Sequence, residues 1–384
     1  LRNGWGYDRI GSDMEKHKSC YVLDGHKLLW HRDRVDAWLR GERIAPITMD
    51  IALTRACTYK CIYCYGVLQE NQAKPMTRDV IYRFLDDAKD IGVKAISLVS
   101  DGESTCSPYF YDAVLRGKDN GLDMACGTNG VLLKMERLEE TLKALTYLRF
   151  NVSAATPERY AHIHGCHISD YEKTMDIIRE CVAIKKKRGL KVTLGLQMVL
   201  MPGFENQVIP MAILGRDLGV DYCVIKHCSD DETGALGVDY SKYMDMEDIL
   251  KKAEGYSSPE YLVKVKWSKI RSMGRRRYRQ CYGPPFIMQL SGSGLVAPCG
   301  MLFNEKYNKY HIGNISETSF KTLWQGERYW EVIRLIASEA FNAQTDCGCL
   351  CLQDKVNEFL WDIKRGDDAL RAPEGPPPEH INFI

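Results

Sequence analysis

The chain has 384 residues, 45% of them apolar, enough for one large or two unequal domains around a substantial core. Its formal net charge is +1, so electrostatics gives no reason to expect a nucleic-acid or membrane partner. It has no run of about 18 apolar residues and no short apolar signal region, which predicts a soluble, cytoplasmic protein.

Residues 1–46 are polar and aromatic, with a basic, helix-like stretch from Arg32 to Arg43. This lead-in is too short for a separate domain and reads as an extension packing on the edge of the main sheet. From residue 47 to about 230, short β-rich runs alternate with longer amphipathic segments, the mark of βα units around a parallel sheet. The predicted strands are 48–53, 94–99, 122–127, 148–154, 192–200 and 221–226. Predicted helices include 77–91, opened by a Thr77 N-cap, and 169–187, where Tyr171, Met175, Ile178 and Val182 recur on one face.

Directly after the first strand comes Cys57-Thr58-Tyr59-Lys60-Cys61-Ile62-Tyr63-Cys64. Fifteen cysteines in a chain of this size read as metal sites plus buried thiols, not as a disulfide scaffold. Three thiolates make an incomplete tetrahedral set for zinc, and a cubane iron–sulfur cluster normally takes four cysteines. With three, one iron is left open to a ligand from elsewhere. After the second strand stands Ser100-Asp101-Gly102-Glu103-Ser104, where Gly102 permits close backbone approach. Thr128-Asn129-Gly130 ends the third strand, Asn151 to Ser153 lie on the fourth, and Gln197 is on the fifth, before Met201-Pro202-Gly203-Phe204-Glu205. Cys223 and Cys228 stand near the end of the sixth strand beside Lys226 and His227. Cys106, Cys126, Cys166 and Cys181 read as buried small hydrophobes.

From about residue 260 the pattern changes. A strand-like Leu262 to Lys266 precedes Arg275-Arg276-Arg277, a run that suits either a phosphate or carboxylate or a solvated loop. Phe286 to Pro298 reads as a hairpin turning at Ser291-Gly292-Ser293-Gly294. Helical segments 317–325 and 328–341 follow, then Cys347-Gly348-Cys349-Leu350-Cys351. Together with Cys281 and Cys299 these make five cysteines, enough to close one cubane but not two. Zinc on the same thiolates is an alternative. The tail Gly375-Pro376-Pro377-Pro378 cannot continue a helix.

The Cys-x3-Cys-x2-Cys loop after a strand resembles the signature of the radical SAM superfamily. The resemblance implies an α/β fold, a partial (β/α)6 TIM-like barrel, over residues 47–245. It further implies a 4Fe–4S cluster on Cys57, Cys61 and Cys64, whose open iron is chelated by the amino and carboxylate groups of S-adenosylmethionine. Gly102 and Glu103 match the family's GGEP motif, with Glu103 on the methionyl ammonium, a charge-assisted bond. Asp101 and Ser104 depart from that motif. By the same resemblance Tyr63 lies by the adenine, Ser153 contacts the ribose or carboxylate, and Asn129, Gln197 and Glu205 complete the cofactor site.

The Cys281 to Gly294-x4-Cys299 spacing resembles the opening of SPASM and twitch domains, which carry auxiliary 4Fe–4S clusters. It implies a small C-terminal α+β domain over residues 246–371, followed by a tail over 372–384. One auxiliary cluster is expected, with ligands among Cys281, Cys299, Cys347, Cys349 and Cys351. The family's common first step is reductive cleavage of S-adenosylmethionine, and the resulting radical abstracts a substrate hydrogen. The electron comes from a donor such as flavodoxin or ferredoxin.

A fully ligated auxiliary cluster suits electron transfer, so the expected reaction oxidises an alcohol carbon of a small carbohydrate-like substrate, a sugar or aminocyclitol. Lys226 and His227 are the candidate bases, and His227 titrates nearer neutrality. If Cys223 or Cys228 returns a hydrogen atom instead, the outcome is epimerisation. A third possibility is maturation of a ribosomal peptide, although residues 1–46 are shorter than the leader-binding domain such enzymes often carry.

Overall fold

The computed structural model of the protein describes residues 21–69, 74–349, 351–367 and 369–384. The first part of the lead-in, residues 1–20, lies outside the described residues. The framework is one ten-stranded sheet ordered β10-β9-β8-β1-β2-β3-β4-β5-β6-β7. Six strands, β1 (Thr48–Ile51), β2 (Ala95–Leu98), β3 (Asp123–Thr128), β4 (Leu145–Asn151), β5 (Thr193–Leu200) and β6 (Tyr222–His227), run parallel in chain order with helices between them. Such strands are covered on both sides and read as apolar runs, as in β5, where every residue is buried. These six strands and their helices are the expected partial barrel.

The helix Arg78–Ile91 shows why the local sequence forms what it does. Thr77 caps it by accepting the Val80 N–H at 3.4 Å, and left-handed Gly92 ends it. Its inner face buries Ile81, Phe84 and Leu85, each contributing about 1.5–3 kcal/mol of transfer free energy. The fourth strand starts three residues before its predicted position, because helix Leu138–Ala144 runs into Leu145 with no turn residue between them.

The larger difference is at the sheet's two ends. β7 (Leu262–Val265) pairs parallel with β6, and β8 (Ile287–Leu290) pairs parallel with β1. The sheet therefore runs continuously across the expected 245/246 boundary. β9 (Leu295–Ala297) and β10 (Gly313–Asn314) complete the predicted hairpin and its neighbour. Pairing of β8 with β1 brings the turn at Ser291 to Gly294 alongside the start of the cysteine loop.

Lead-in residues Leu28, Val35 and Ile44 form a second core with Ile47 and Phe286 and with Val356, Phe359 and Leu360 of helix Asp354–Arg365. That helix has no counterpart in the sequence reading. The Pro-rich tail folds back under the strands' N-terminal ends. Lys27 Nζ donates to the carbonyls of His380 and Phe383 at 2.9 and 2.7 Å, and Asn382 Nδ2 donates to Asp123 at 2.7 Å. No helix among the described residues is long and apolar enough to cross a membrane.

Candidate active site

The cysteine loop leaves β1 and is held by backbone bonds rather than by regular structure. Lys60 and Ile62 N–H donate to His164 and Ile163 carbonyls at 3.1 and 3.0 Å, and Glu103 N–H donates to Ala56 O at 2.9 Å. The entry Thr54-Arg55 is clamped between two glycines. A Cβ at Gly102 would lie 2.0 Å from Thr54 O, and one at Gly292 would lie 2.1 Å from Thr54 C. Only glycine allows backbones that close. Asp101 accepts from Ser291 Oγ at 2.5 Å and from Gly292 N–H at 2.9 Å, and pairs with Arg55 at 3.4 Å. The residue that departs from the family motif thus ties the cysteine loop to the C-terminal hairpin. Burial raises the Asp101 pKa, and these donors oppose the rise.

Cys57 is exposed, while Cys61 and Cys64 are half-buried. Partial desolvation of its sulfur, although the residue as a whole is exposed, pushes the Cys57 thiol up to about 11, with Glu103, Cys64 and Cys106 adding to the rise. Burial also raises Cys61, followed by the charge of Cys64. Three thiols in each other's electrostatic field suit a shared positive centre, which deprotonates such groups. A Cβ at Gly66 would lie 3.3 Å from Cys64 Sγ, so the backbone leaves room around that ligand. Sequence reasoning missed His164, which has no flanking signal. Its Nε2 faces the Ser153 N–H at 3.2 Å and so accepts. Nδ1 then carries the hydrogen and faces Cys61 Sγ and Tyr63 OH, both at 3.3 Å. Burial lowers His164 to about 3, which keeps it neutral.

The expected cofactor residues gather around this loop with one exception. Glu103 is buried, and its Oε1 accepts from Thr105 N–H at 3.1 Å, Thr105 Oγ1 at 2.7 Å and Thr128 Oγ1 at 2.8 Å. Oε2 accepts from Asn129 N–H at 2.8 Å, so that oxygen keeps one lone-pair site for a further donor. Asn129 Nδ2 reaches Thr58 Oγ1 at 3.0 Å. Ser153 Oγ accepts from Val199 N–H at 3.2 Å. Gln197 Nε2 donates to Asn151 at 3.0 Å, and both residues, with Tyr63, line the cavity below the loop. Glu205 accepts from Gly203 N–H at 2.9 Å within its own turn and does not line that cavity.

In the second cysteine group Cys299 is buried and Cys281, Cys347 and Cys351 are half-buried. Cys281, Cys299, Cys347 and Cys351 line one small cavity with Met301, Leu302, Ile336 and Phe341. Burial raises Cys299 well above its usual value, and Cys351, Cys347 and Cys281 add to it in turn. Cys349, expected among the candidate ligands, lies apart. Its N–H donates to Asp230 O at 2.9 Å, and its thiol sits by Tyr240. Arg276 Nη1 donates to Cys347 Sγ at 2.9 Å, while its buried Nε and Nη2 have no hydrogen-bond partner. Burial lowers the Arg276 pKa, but Cys347 and its neighbours outweigh that and hold it well above the usual value. Four thiolates around a cluster, needing a counter-charge, fit this guanidinium. Among the described residues no three of His, Cys, Asp or Glu converge on a single metal ion, and cubane ligands stand further apart than that.

A larger cavity is lined by residues of both groups, Cys64 and Cys351. Tyr65 also lines it, and burial, then the fields of Cys299, Cys64, Asp101 and Cys351, raise its phenol. Of the expected catalytic residues, Lys226 lines this cavity. Alternation along β6 turns Cys223 and His227 to the opposite face. Cys223 packs by Tyr261, and the His227 ring packs by Tyr240 and Tyr243. Burial lowers His227 to about 3, so its expected advantage as a base near neutrality is lost. The buried Cys228 thiol faces Tyr63 O and Ser229 O, both at 3.6 Å, and does not line the cavity.

Residues 51–212 match the family model of the radical SAM superfamily, and residues 281–351 match that of SPASM, an iron–sulfur cluster-binding domain. A Pyrococcus furiosus protein named tungsten-containing aldehyde ferredoxin oxidoreductase cofactor-modifying protein is 24% identical over 318 residues, 77% of this chain and 86% of that one. The AdoMet-dependent heme synthase of Methanosarcina barkeri is 25% identical over 318 residues, 76% and 85% of the two chains. The structure of Streptococcus suis SuiB bound to precursor peptide SuiA superposes with a TM-score of 0.60, covering 79% of this chain and 71% of that one. At 15% identity that likeness concerns the fold.

Proposed function

The chain is a radical SAM enzyme with a C-terminal SPASM domain, and we propose that it oxidises a small polyhydroxylated molecule held between its two cysteine groups. The observation carrying this reading is that Cys64 and Cys351 bound the same cavity. When bound, the two clusters and S-adenosylmethionine supply a 5′-deoxyadenosyl radical that removes a substrate hydrogen and an acceptor for the electron left behind. Cys57, Cys61 and Cys64 hold the first cluster with one position open, and Cys281, Cys299, Cys347 and Cys351 close the second.

Lys226 takes the proton lost with that electron. Burial, and then the charges of Lys269, Arg149 and Lys266, lower its pKa well below the usual value, so a neutral amine is available as base. Asn151, Gln197, Gln289, Ser100 and Ser229 line the same cavity and suit a hydroxylated substrate. Arg149 and Lys269 make the cavity a poor fit for a cation, which speaks against an aminocyclitol. The two relatives described above are named for heme synthesis and for cofactor modification, not for peptides, which supports a small-molecule substrate.

The test is turnover of candidate sugars and sugar acids deuterated at carbon. The reading expects deuterium in 5′-deoxyadenosine and a product lighter by two hydrogens. A product of unchanged mass carrying solvent deuterium would replace oxidation with thiol-dependent epimerisation, for which Cys228 is the better-placed donor.

A further inference from the structure

The cavity between the cysteine groups has a charge imbalance. Arg149, Lys226 and Lys269 all line it, and Lys266 lies close enough to lower the Lys226 pKa. Asp101 is the lining carboxylate among the described residues, and Ser291, Gly292 and Arg55 already occupy it. Arg149 Nε is buried without a hydrogen-bond partner, and Asp50, the carboxyl that feels its charge, is pushed up to about 7 by burial and so compensates it only in part. A guanidinium in a desolvated space is costly unless an anion completes it.

The sheet makes room for this guanidinium. In the register of β3 and β4, Arg149 stands opposite Gly127, while Gly195 on its other side makes room for the Tyr222 ring. A Cβ at Gly127 would lie 2.8 Å from Val99 and 3.1 Å from Arg149 Nη2. A larger residue there would therefore press on the guanidinium. Arginine presents a planar fork matched to two oxygens of a carboxylate or phosphate.

We propose that the substrate carries an anionic group, a carboxylate or a phosphate, seated on Arg149 with Lys269 beside it. This deepens the reading of the cavity as the substrate site and rests on it. The anion fixes one end of the molecule in the barrel lumen, and the reacting carbon then lies toward Cys64.

The test is calorimetric binding to anaerobically reconstituted, S-adenosylmethionine-loaded protein at constant ionic strength. The probes are matched pairs, glutarate against its diol analogue and glycerol phosphate against glycerol. The anionic member of a pair should bind and the neutral member should not. Arg149→Gln should weaken the anion at least about tenfold, and Arg149→Lys should restore part of the loss, with iron content and cofactor affinity unchanged. A preference for glutarate assigns a carboxylate, and a preference for glycerol phosphate assigns a phosphate. Three results would overturn the proposal. They are no anion binding, anion affinity indifferent to Arg149→Gln, and loss of S-adenosylmethionine affinity in that variant, which would give Arg149 to the cofactor's own carboxylate. Since the readout is binding and not turnover, it can fail while the oxidation test succeeds, and the reverse.

Discussion

The two cysteine groups differ in how the chain presents them. Cys57, Cys61 and Cys64 lie on one short loop, where Cys57 is exposed and no fourth thiol of the motif completes the set. Cys281, Cys299, Cys347 and Cys351 come from well-separated points, close round a single cavity and face the buried Arg276. The first arrangement would leave a coordination position for a small ligand, and the second would supply all four ligands of its cluster. The comparison teaches that ligand count assigns the tasks of the two centres, and the cavity reaching both is where those tasks meet.

The comparison breaks most visibly if either set is removed. Changing Cys57, Cys61 and Cys64 to Ala should abolish S-adenosylmethionine cleavage and halve the bound iron. Changing the other four should also halve the iron but leave cleavage of S-adenosylmethionine intact. Cleavage by the first variant would contradict the assignment. Next in size is the choice within the C-terminal run. Cys351→Ala should lose the auxiliary cluster while Cys349→Ala keeps it, read from iron and sulfide counts.

Glu103→Gln should weaken S-adenosylmethionine by about 1.5–3 kcal/mol, the range for hydrogen bonds to charged groups. An unchanged dissociation constant in cluster-loaded protein would remove Glu103 from the cofactor site. Arg276→Met takes a cation from the second group and should lower its reduction potential by on the order of tens of millivolts. A titration that finds no shift would make Arg276 a packing residue.

The smallest effect concerns Asp50, which burial pushes up to about 7. Its unfolded pKa is about 3.9, so between those values the native state keeps a proton that the unfolded state releases. Stability then falls as pH rises through that window, and Asp50→Asn should flatten the slope of urea midpoint against pH. An identical slope in the variant would count against a desolvated Asp50 whose partners fail to offset its burial.

Much of this was legible in the sequence because it is local. The triad spacing, the strand before it, the Thr77 cap and the hairpin turn each depend on residues within a few positions of one another. What was missed depends on long-range pairing. Arg276 sits in an arginine run that is indistinguishable from a solvated loop until Cys347 is brought beside it. Asp101 looked like a defect in a motif, and its reason is a turn 190 residues away. The pairing of β8 with β1, which creates that contact, leaves no local trace in sequence. The placement of Cys223 and His227 is a different kind of error. Strand alternation puts both on the face opposite Lys226, so no arrangement of β6 could bring all three to one cavity.

The central claim is that one centre is open to S-adenosylmethionine and the other closed. The most direct measurement is the electron paramagnetic resonance spectrum of the reduced Cys57/Cys61/Cys64→Ala protein, with and without S-adenosylmethionine. The account predicts one cubane signal that does not change on addition, while the wild-type protein shows a second signal that does. A signal from the triple variant that shifts with S-adenosylmethionine would show that the second group is open to the cofactor and would contradict the division of labour.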